Sequence, residues 1–365
     1  MRERDFEACR LTVRLGAIVE NYKAFQRLAG PAAVAGMVKA DAYGLGAELV
    51  APALAAAGCD TFFVARLEEA VALRRALREG PRIFVLDGAP SDAVPALIAH
   101  QLTPVLNSLA EIAGWNAAAA ASRRRLDAAI HIDTGLNRLG LPGEELARLA
   151  AEWKTRLKNL NLVLWMSHLA CGDEIDNKMN DQQLSRFRTA LAMLPPAPAS
   201  LAASGGAFLG KSYRFDLVRP GIGIYGGASQ EGGKPFKTAA VLTARVLQLR
   251  RIDKGESVGY AATFRAQRPT MLATVALGYA GGIPRSLSNK GAVFAAGKRA
   301  TFAGRVSMDM TTVDVSGMAA LKVGDEVEFL GDHVMLEEVA ALAGTNAYEI
   351  LTGLRVPRHY IEEAS

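Results

Sequence analysis

Cysteine is scarce, with only Cys9, Cys59 and Cys171 in 365 residues. An odd count without metal-ligand spacing argues against a disulfide framework and a thiolate metal site, and for a reducing compartment. Aromatic residues make up 7% of the chain. None is interleaved with a long basic block, so the stacking-and-charge surface of a nucleic-acid binder is missing. No segment offers the ~20 uninterrupted apolar residues that a membrane-spanning helix needs. The opening M-R-E-R-D-F-E-A is charged where a signal peptide needs an apolar centre. A soluble cytoplasmic protein is expected, with no nucleic-acid and no membrane partner. A large excess of one charge is also lacking. The 42 basic and 37 acidic residues are interspersed and leave +5, a modest field that favours an anionic cofactor or substrate. There is no internal repeat, and no low-complexity tract beyond alanine enrichment.

Half of the residues are hydrophobic, and the length suits two domains or an α/β barrel that takes most of the chain. The stretch Val34 to Gly46, V-A-G-M-V-K-A-D-A-Y-G-L-G, stands out. An apolar run of strand character delivers one lysine, Lys39, and breaks at once into a turn. Desolvation at a buried strand end lowers a lysine's pKa and suits it to Schiff-base chemistry. The same pattern also fits an ordinary lysine reaching out to solvent.

The surrounding pattern alternates. Cys9 to Leu15 reads as a strand, and Leu15, Ile18, Val19, Tyr22, Phe25 and Leu28 share one helical face. After Lys39 come helix 48–57, strand 61–65, helix 67–79, strand 83–86, helix 94–100, strand 103–106, helix 108–122, strand 126–132, helix 144–153, strand 160–165, helix 182–193, strand 198–202, a short helix after Ser204, and strand 216–218. Some eight strand–helix units with short connections predict an N-terminal (β/α)8 TIM barrel. Beyond Tyr225 the alternation stops. Short strands with Gly and Asp turns predict a C-terminal all-β domain that also carries helical 336–343 and 348–351. The expected division is a barrel at 12–238 and a β domain at 239–365 joined by an N-terminal strand at 1–11, with 226–235 (G-G-A-S-Q-E-G-G-K-P) as boundary or exposed loop.

Groups at the C-terminal ends of barrel strands face one site. In order these are Lys39, Ala65 and Arg66, Asp87, Asn107, the D-T-G-L-N-R turn from Asp133 to Arg138, Ser167 with His168, Ser204 with Gly205 and Gly206, and Arg219 with Gly221. The A-A-S-G-G-A and R-P-G-I-G-I-Y-G stretches lie where barrels often hold a phosphate on backbone N–H groups. Each alone could be only a cap or a turn. A lysine on the first strand and a phosphate cradle on the last two together suggest pyridoxal 5′-phosphate.

The motifs M-V-K-A-D-A-Y-G-L-G, H-I-D-T-G-L-N-R-L-G, M-S-H-L-A, A-A-S-G-G, V-R-P-G-I-G-I-Y-G, V-G-Y, L-G-Y-A-G-G-I-P-R, A-G-R-V-S-M-D-M and R-V-P-R-H-Y follow in that order. On them, nearly the whole chain resembles the alanine racemase family of fold-type III pyridoxal-phosphate enzymes. The resemblance implies interconversion of L- and D-alanine for peptidoglycan precursor supply by a homodimer with shared active sites. It implies that Lys39 anchors the cofactor and serves as one of two catalytic bases, the other being Tyr279 from the neighbouring subunit. Racemisation needs this, because a single base tends to return the proton to the face it came from. A tyrosine near its usual pKa of ~10 is a poor base at neutral pH without a positive neighbour, and His168 and Arg219 are the implied relay. Arg219 would also face the pyridine nitrogen, and Arg138 the phenolic oxygen or the substrate carboxylate. Tyr43, Ser204, Gly221, Ile222 and Tyr360 match the phosphate site, while Met308 and Asp309 would line the substrate side from the second subunit. No metal is implied.

Three positions depart from the family pattern. Leu45 stands where histidine is frequent, Gly281 where aspartate is usual, and His131 where many members carry a carbamylated lysine that orients the arginine corresponding to Arg138. His131, or an anion beside it, is expected to position Arg138 here. The competing readings are a racemase of broader or different specificity (serine or basic amino acids), a fold-type III decarboxylase, which would lack L-G-Y-A-G-G, and a non-catalytic pyridoxal-phosphate carrier, which would lack the second domain.

Overall fold

A computed structural model describes residues 7–230, 233 and 236–363. Strands such as Thr61–Val64 (TFFV), Arg82–Val85 (RIFV) and Thr103–Leu106 (TPVL) are short and nearly all buried. That burial on both faces is why they read as continuous apolar runs rather than alternating ones. Each pairs in parallel with its successor, from Gly36–Met37 through Leu126–His131 and Leu160–Met166 to Ala199–Ser200. The first strand is interrupted at Ala35. Its earlier half, Ala33–Val34, pairs with Leu217–Val218, and that last strand is tied to the seventh by the Asp216 N–H to Ala199 O and Arg219 N–H to Ala202 O hydrogen bonds, 3.0 and 2.9 Å. Eight parallel strands therefore close into a barrel. Helices from Ala47–Ala56 to Lys178–Met193 follow the strands, and Leu15–Ala29 buries Leu15, Ile18, Tyr22 and Phe25 as its spacing requires.

The second layer is antiparallel. Ala240–Ile252 pairs with both Thr270–Val275 and Glu326–Leu330 and bends at an irregularity between Val246 and Gln248. Thr311–Asp314, Lys298–Phe302 and Ala292–Ala295 complete a closed six-strand circuit. Bulges of this kind let one long strand turn a barrel corner. Cys9–Arg14 adds to the edge of Ala240–Ile252 and carries Arg358–Ile361 in parallel. The chain thus starts in the second sheet before entering the barrel, and residues 1–6 of the expected strand at 1–11 lie outside the described residues. The same is true of 231, 232, 234 and 235 in the linker. One apolar core runs through both layers, from Phe25 and Phe63 to Val313 and Phe329. Among the described residues no helix is long and apolar enough to cross a membrane.

Candidate active site

The first strand ends at Val38, whose N–H donates to Phe63 O at 3.0 Å. Lys39 follows, and the chain then enters a left-handed turn in which Ala40, Asp41, Ala42 and Tyr43 have φ of 52°, 55°, 54° and 57°. Each such residue without a glycine's freedom costs roughly 1–2 kcal/mol. The turn closes on itself through Ala42 N–H to Val38 O, Gly44 N–H to Ala40 O and Gly46 N–H to Asp41 O, at 2.9, 2.8 and 2.8 Å. Lys39 is half-buried at the barrel mouth. Burial pulls its pKa down, the Arg138 charge adds to this, and Glu69 and Asp87 oppose it. A larger neutral fraction of the amine results.

Across the barrel, the last two strand ends form a cradle. Ser204 Oγ accepts the Gly221 N–H at 2.8 Å and the Gly223 N–H at 3.3 Å, which leaves its own O–H free to donate. The buried Ile222 N–H has no acceptor among the described residues. A buried orphan donor of this kind is rare unless it serves a ligand. The Tyr43 hydroxyl occupies the space where a Cβ at Gly221 would stand. Its ring lies 4.8 Å from that of Tyr225, whose hydroxyl donates to Met37 O at 2.8 Å. Two buried tyrosines thus join the first strand to the cradle. Gly221→Ala is expected to displace Tyr43 and weaken cofactor affinity at least about tenfold while leaving the barrel folded, as equilibrium dialysis against pyridoxal 5′-phosphate would measure. Tyr360 arrives from the second sheet with its hydroxyl against Gly46, so it touches the Lys39 turn from outside.

Between lysine and cradle lies Arg219, 1% exposed. It donates to Ser167 O at 2.7 Å, to Leu201 O at 3.4 Å and to Ser200 Oγ. No carboxylate pairs with it among the described residues. Burial lowers its pKa to about 10, which still leaves it charged at neutral pH. His168 Nδ1 is 3.4 Å from Arg219 Nη2. A guanidinium only donates, so Nδ1 accepts and the proton of His168 sits on Nε2. Burial and Arg219 push His168 down to about 3. The positive charge of this pair therefore resides on Arg219, and His168 passes it on as an oriented neutral dipole.

His131 is likewise neutral, pushed to about 4 by burial and then by Arg219. Asn107 Nδ2 donates to Leu86 O and Val105 O at 3.1 and 2.9 Å, so its Oδ1 faces His131 Nδ1 at 3.0 Å and that nitrogen is the donor. Arg138 is exposed and hydrogen bonds to none of the described residues, His131 included. At the other departures, Leu45 is fully buried, where a histidine would lose its hydration, and a Cβ at Gly281 would lie 2.5 Å from Leu277 Cδ1.

One residue escaped the sequence reading. Gln183 is 0% exposed and has every polar atom engaged. Its Oε1 accepts the Ala170 N–H at 2.8 Å, and Nε2 donates to His168 O at 3.0 Å and Thr134 Oγ1 at 3.1 Å. Thr134 in turn lies 2.8 Å from Ser167 Oγ. Gln183 thus locks the D-T-G turn to the strand end that carries His168. The signal available was a polar residue on the helical face shared by Leu184 and Phe187.

Lys39, Tyr43, His168, Ser204, Arg219, Gly221 and Ile222 therefore come together in the barrel mouth. Tyr279, Met308 and Asp309 do not join them within this chain. They form their own group on the second domain, where the Tyr279 and Ala280 N–H groups donate to Ser307 O and Met308 O at 3.0 and 2.9 Å. Tyr279 is 42% and Met308 55% exposed.

Residues 13–229 match the family described as alanine racemase, N-terminal domain, and residues 239–360 that described as alanine racemase, C-terminal domain. The chain belongs to the alanine racemase family. An Agrobacterium fabrum protein named "Alanine racemase, catabolic" is 47% identical over 357 residues, covering 96% of this chain and 92% of that one. A Brucella abortus alanine racemase is 45% identical over 369 residues, covering 96% and 93%. The crystal structure of a Bartonella henselae alanine racemase with covalently bound pyridoxal phosphate superimposes with a TM-score of 0.93 at 40% identity, covering 97% of this chain and 99% of that one.

The residues present fit the cofactor of alanine racemases, pyridoxal 5′-phosphate. A half-buried lysine of lowered pKa can bond an aldehyde. The free Ser204 and Tyr43 hydroxyls and the orphan Ile222 N–H can receive a phosphate. Arg219, a buried cation without a counter-charge among the described residues, can meet a ring nitrogen.

Proposed function

We propose that the chain interconverts L- and D-alanine with pyridoxal 5′-phosphate by a two-base mechanism, with Lys39 acting on one face of the substrate and Tyr279 of the partner subunit on the other. The observation that carries this reading is the split site: a complete lysine-and-phosphate cradle in the barrel, and a base group left exposed on the second domain. When bound, the cofactor supplies the electron sink that makes the alanine Cα proton acidic. Ser204, Tyr43 and Ile222 would hold its phosphate end, with Gly221 making room for the Tyr43 hydroxyl and Tyr360 bracing the neighbouring turn at Gly46. Lys39 would hold the aldehyde end and, as a free amine beside the bound substrate, would take up and return the Cα proton at its Nζ. Arg219, still charged at neutral pH, would donate toward the ring nitrogen and so disfavour a proton there. This restrains the charge drawn into the ring and limits side reactions. Among the described residues Arg138 has no hydrogen-bond or salt-bridge partner, so its planar fork would be available for the substrate carboxylate or the cofactor's phenolic oxygen. With Nδ1 facing Arg219, the Nε2–H of His168 would be left for the second base, and Arg219 behind it would lower the cost of a phenolate.

This mechanism calls for a homodimer in which Tyr279, Met308 and Asp309 of one subunit complete the site of the other; their exposure on the second domain supports it. Tyr260 and Met310 of the same domain are exposed as well. We place the division into domains at 12–238 and 239–365, and the activity in the cytoplasm, supplying D-alanine for peptidoglycan precursors. Incubating the holoenzyme with single L-amino acids in deuterated water tests the specificity. Cα exchange with inversion is expected for alanine and at most weakly for serine or lysine; broad inversion makes this a general racemase, and amine products make it a decarboxylase.

A further inference from the structure

The left-handed turn that presents Lys39 is gripped from two sides. From the barrel, Glu69 Oε1 accepts the Ala40 N–H at 2.7 Å, while its Oε2 accepts the Ala65 and Arg66 N–H groups at 2.9 and 3.2 Å. From the second sheet, Arg358 Nη1 meets Asp41 Oδ2 at 2.6 Å. The other Asp41 oxygen accepts the Ala47 N–H, the first of the following helix, at 2.7 Å. Asp41 is the second of four left-handed residues, and both its carboxylate oxygens are in use.

Nothing in Ala40, Asp41, Ala42 and Tyr43 as a sequence favours four successive left-handed residues; Ala and Tyr resist it, and only Asp tolerates it singly. The conformation is therefore imposed by its anchors. Arg358 is well suited to impose it. Its strand is fixed in register, with Leu11 opposite Arg358 and Val13 opposite Tyr360. Two residues apart on one face, Arg358 and Tyr360 converge on Gly46, where a Cβ would meet both the guanidinium and the hydroxyl. The glycine at that point is what lets the second sheet reach the turn.

We propose that Arg358 is a positioning residue for Lys39: through Asp41 it holds the left-handed turn so that the lysine amine stays in the barrel mouth, and it makes that placement depend on docking of the last strand. The inference rests on the reading of Lys39 as the cofactor lysine. The pair is partly exposed, 35% at Arg358 and 52% at Asp41, and ion pairs this exposed add little to global stability. Its loss should register at Lys39 rather than in the melting temperature.

The test compares Arg358→Met, Asp41→Asn and the double variant as holoenzymes. In each, kcat for alanine is expected to fall at least about tenfold while KM changes less than about threefold, because the error is one of alignment. The visible circular dichroism of the bound cofactor should change, and the double variant should be no worse than either single one, since all three break one link. Arg358→Lys should recover part of kcat. Arg10→Met, which breaks the 2.9 Å Arg10–Glu326 pair of the same sheet, should leave kcat unchanged. The proposal is overturned by a kcat within twofold of the parent, by losses that multiply in the double variant, or by a lower kcat that tracks a lower melting temperature with the dichroism intact. Borohydride fixation and peptide mapping on the parent keep the two readings apart. Fixation at another lysine removes the assignment of Lys39, whereas fixation at Lys39 with normal kcat in Arg358→Met removes only the role of Arg358.

Discussion

Lys39→Ala is expected to lose racemisation by at least about 10,000-fold, because on the proposed reading one substitution removes both the covalent anchor and a proton-transfer group. Removal of a base alone accounts for about 100- to 10,000-fold, and loss of the anchored cofactor adds to it. Borohydride should then fix no cofactor to the chain. The cradle of Ser204, Ile222 and Tyr43 is built from other strands, so the variant should still bind pyridoxal 5′-phosphate noncovalently. Measurable binding without turnover separates loss of chemistry from loss of fold. The parent enzyme offers a further sign. Burial and Arg138 both lower the Lys39 pKa, so the limb of the kcat–pH profile that reports its deprotonation lies below the range of an ordinary lysine. A limb at or above that range would place the catalytic amine elsewhere. Full activity in Lys39→Ala would remove the whole scheme.

Tyr279→Phe keeps the ring and deletes the hydroxyl. Turnover should drop by about 100- to 10,000-fold, while Cα exchange in deuterated water survives for the one enantiomer whose proton faces Lys39. Joining the two variants tests the sharing of the site. If Tyr279 serves the facing subunit, a mixed dimer of Lys39→Ala and Tyr279→Phe chains holds one site with both defects and one with neither. Random association makes half of the dimers mixed, so co-expressed chains should recover about one quarter of parental activity. If Tyr279 served its own barrel, every site would lack one base and nothing would recover. Sedimentation of the parent at working concentration gives an independent check, and a fully active monomer would refute the shared site.

Much of this site was readable in the sequence because its parts are local. A lysine closing an apolar run, S-G-G before a helical turn and R-P-G-I-G after a strand each lie within a few residues, and the rule that strand ends converge gathers them without coordinates. The same rule brought His168 and Arg219 into the mouth, where the hydrogen bonds then fixed which of them carries the charge. Gln183 was not readable, since its value depends on two loops that reach it from Thr134 and His168. The absence of a hydrogen bond between His131 and Arg138 was equally hidden: the histidine's Nδ1 is taken by Asn107, 24 residues earlier in the chain.

The sequence by itself determined the succession of strands and helices, the presence of a barrel followed by a β domain, and the residue types gathered at the barrel mouth. Periodicity and turn composition report how each short segment meets solvent and core. Only the tertiary structure decided how Lys39 is presented. Four residues with no common preference for it take the left-handed conformation. They are held there by Glu69, 29 positions from Ala40, and by Arg358, 317 positions from Asp41. No local pattern encodes such contacts, because they exist only once closure of the barrel and pairing of Cys9–Arg14 with Arg358–Ile361 have brought distant backbone together.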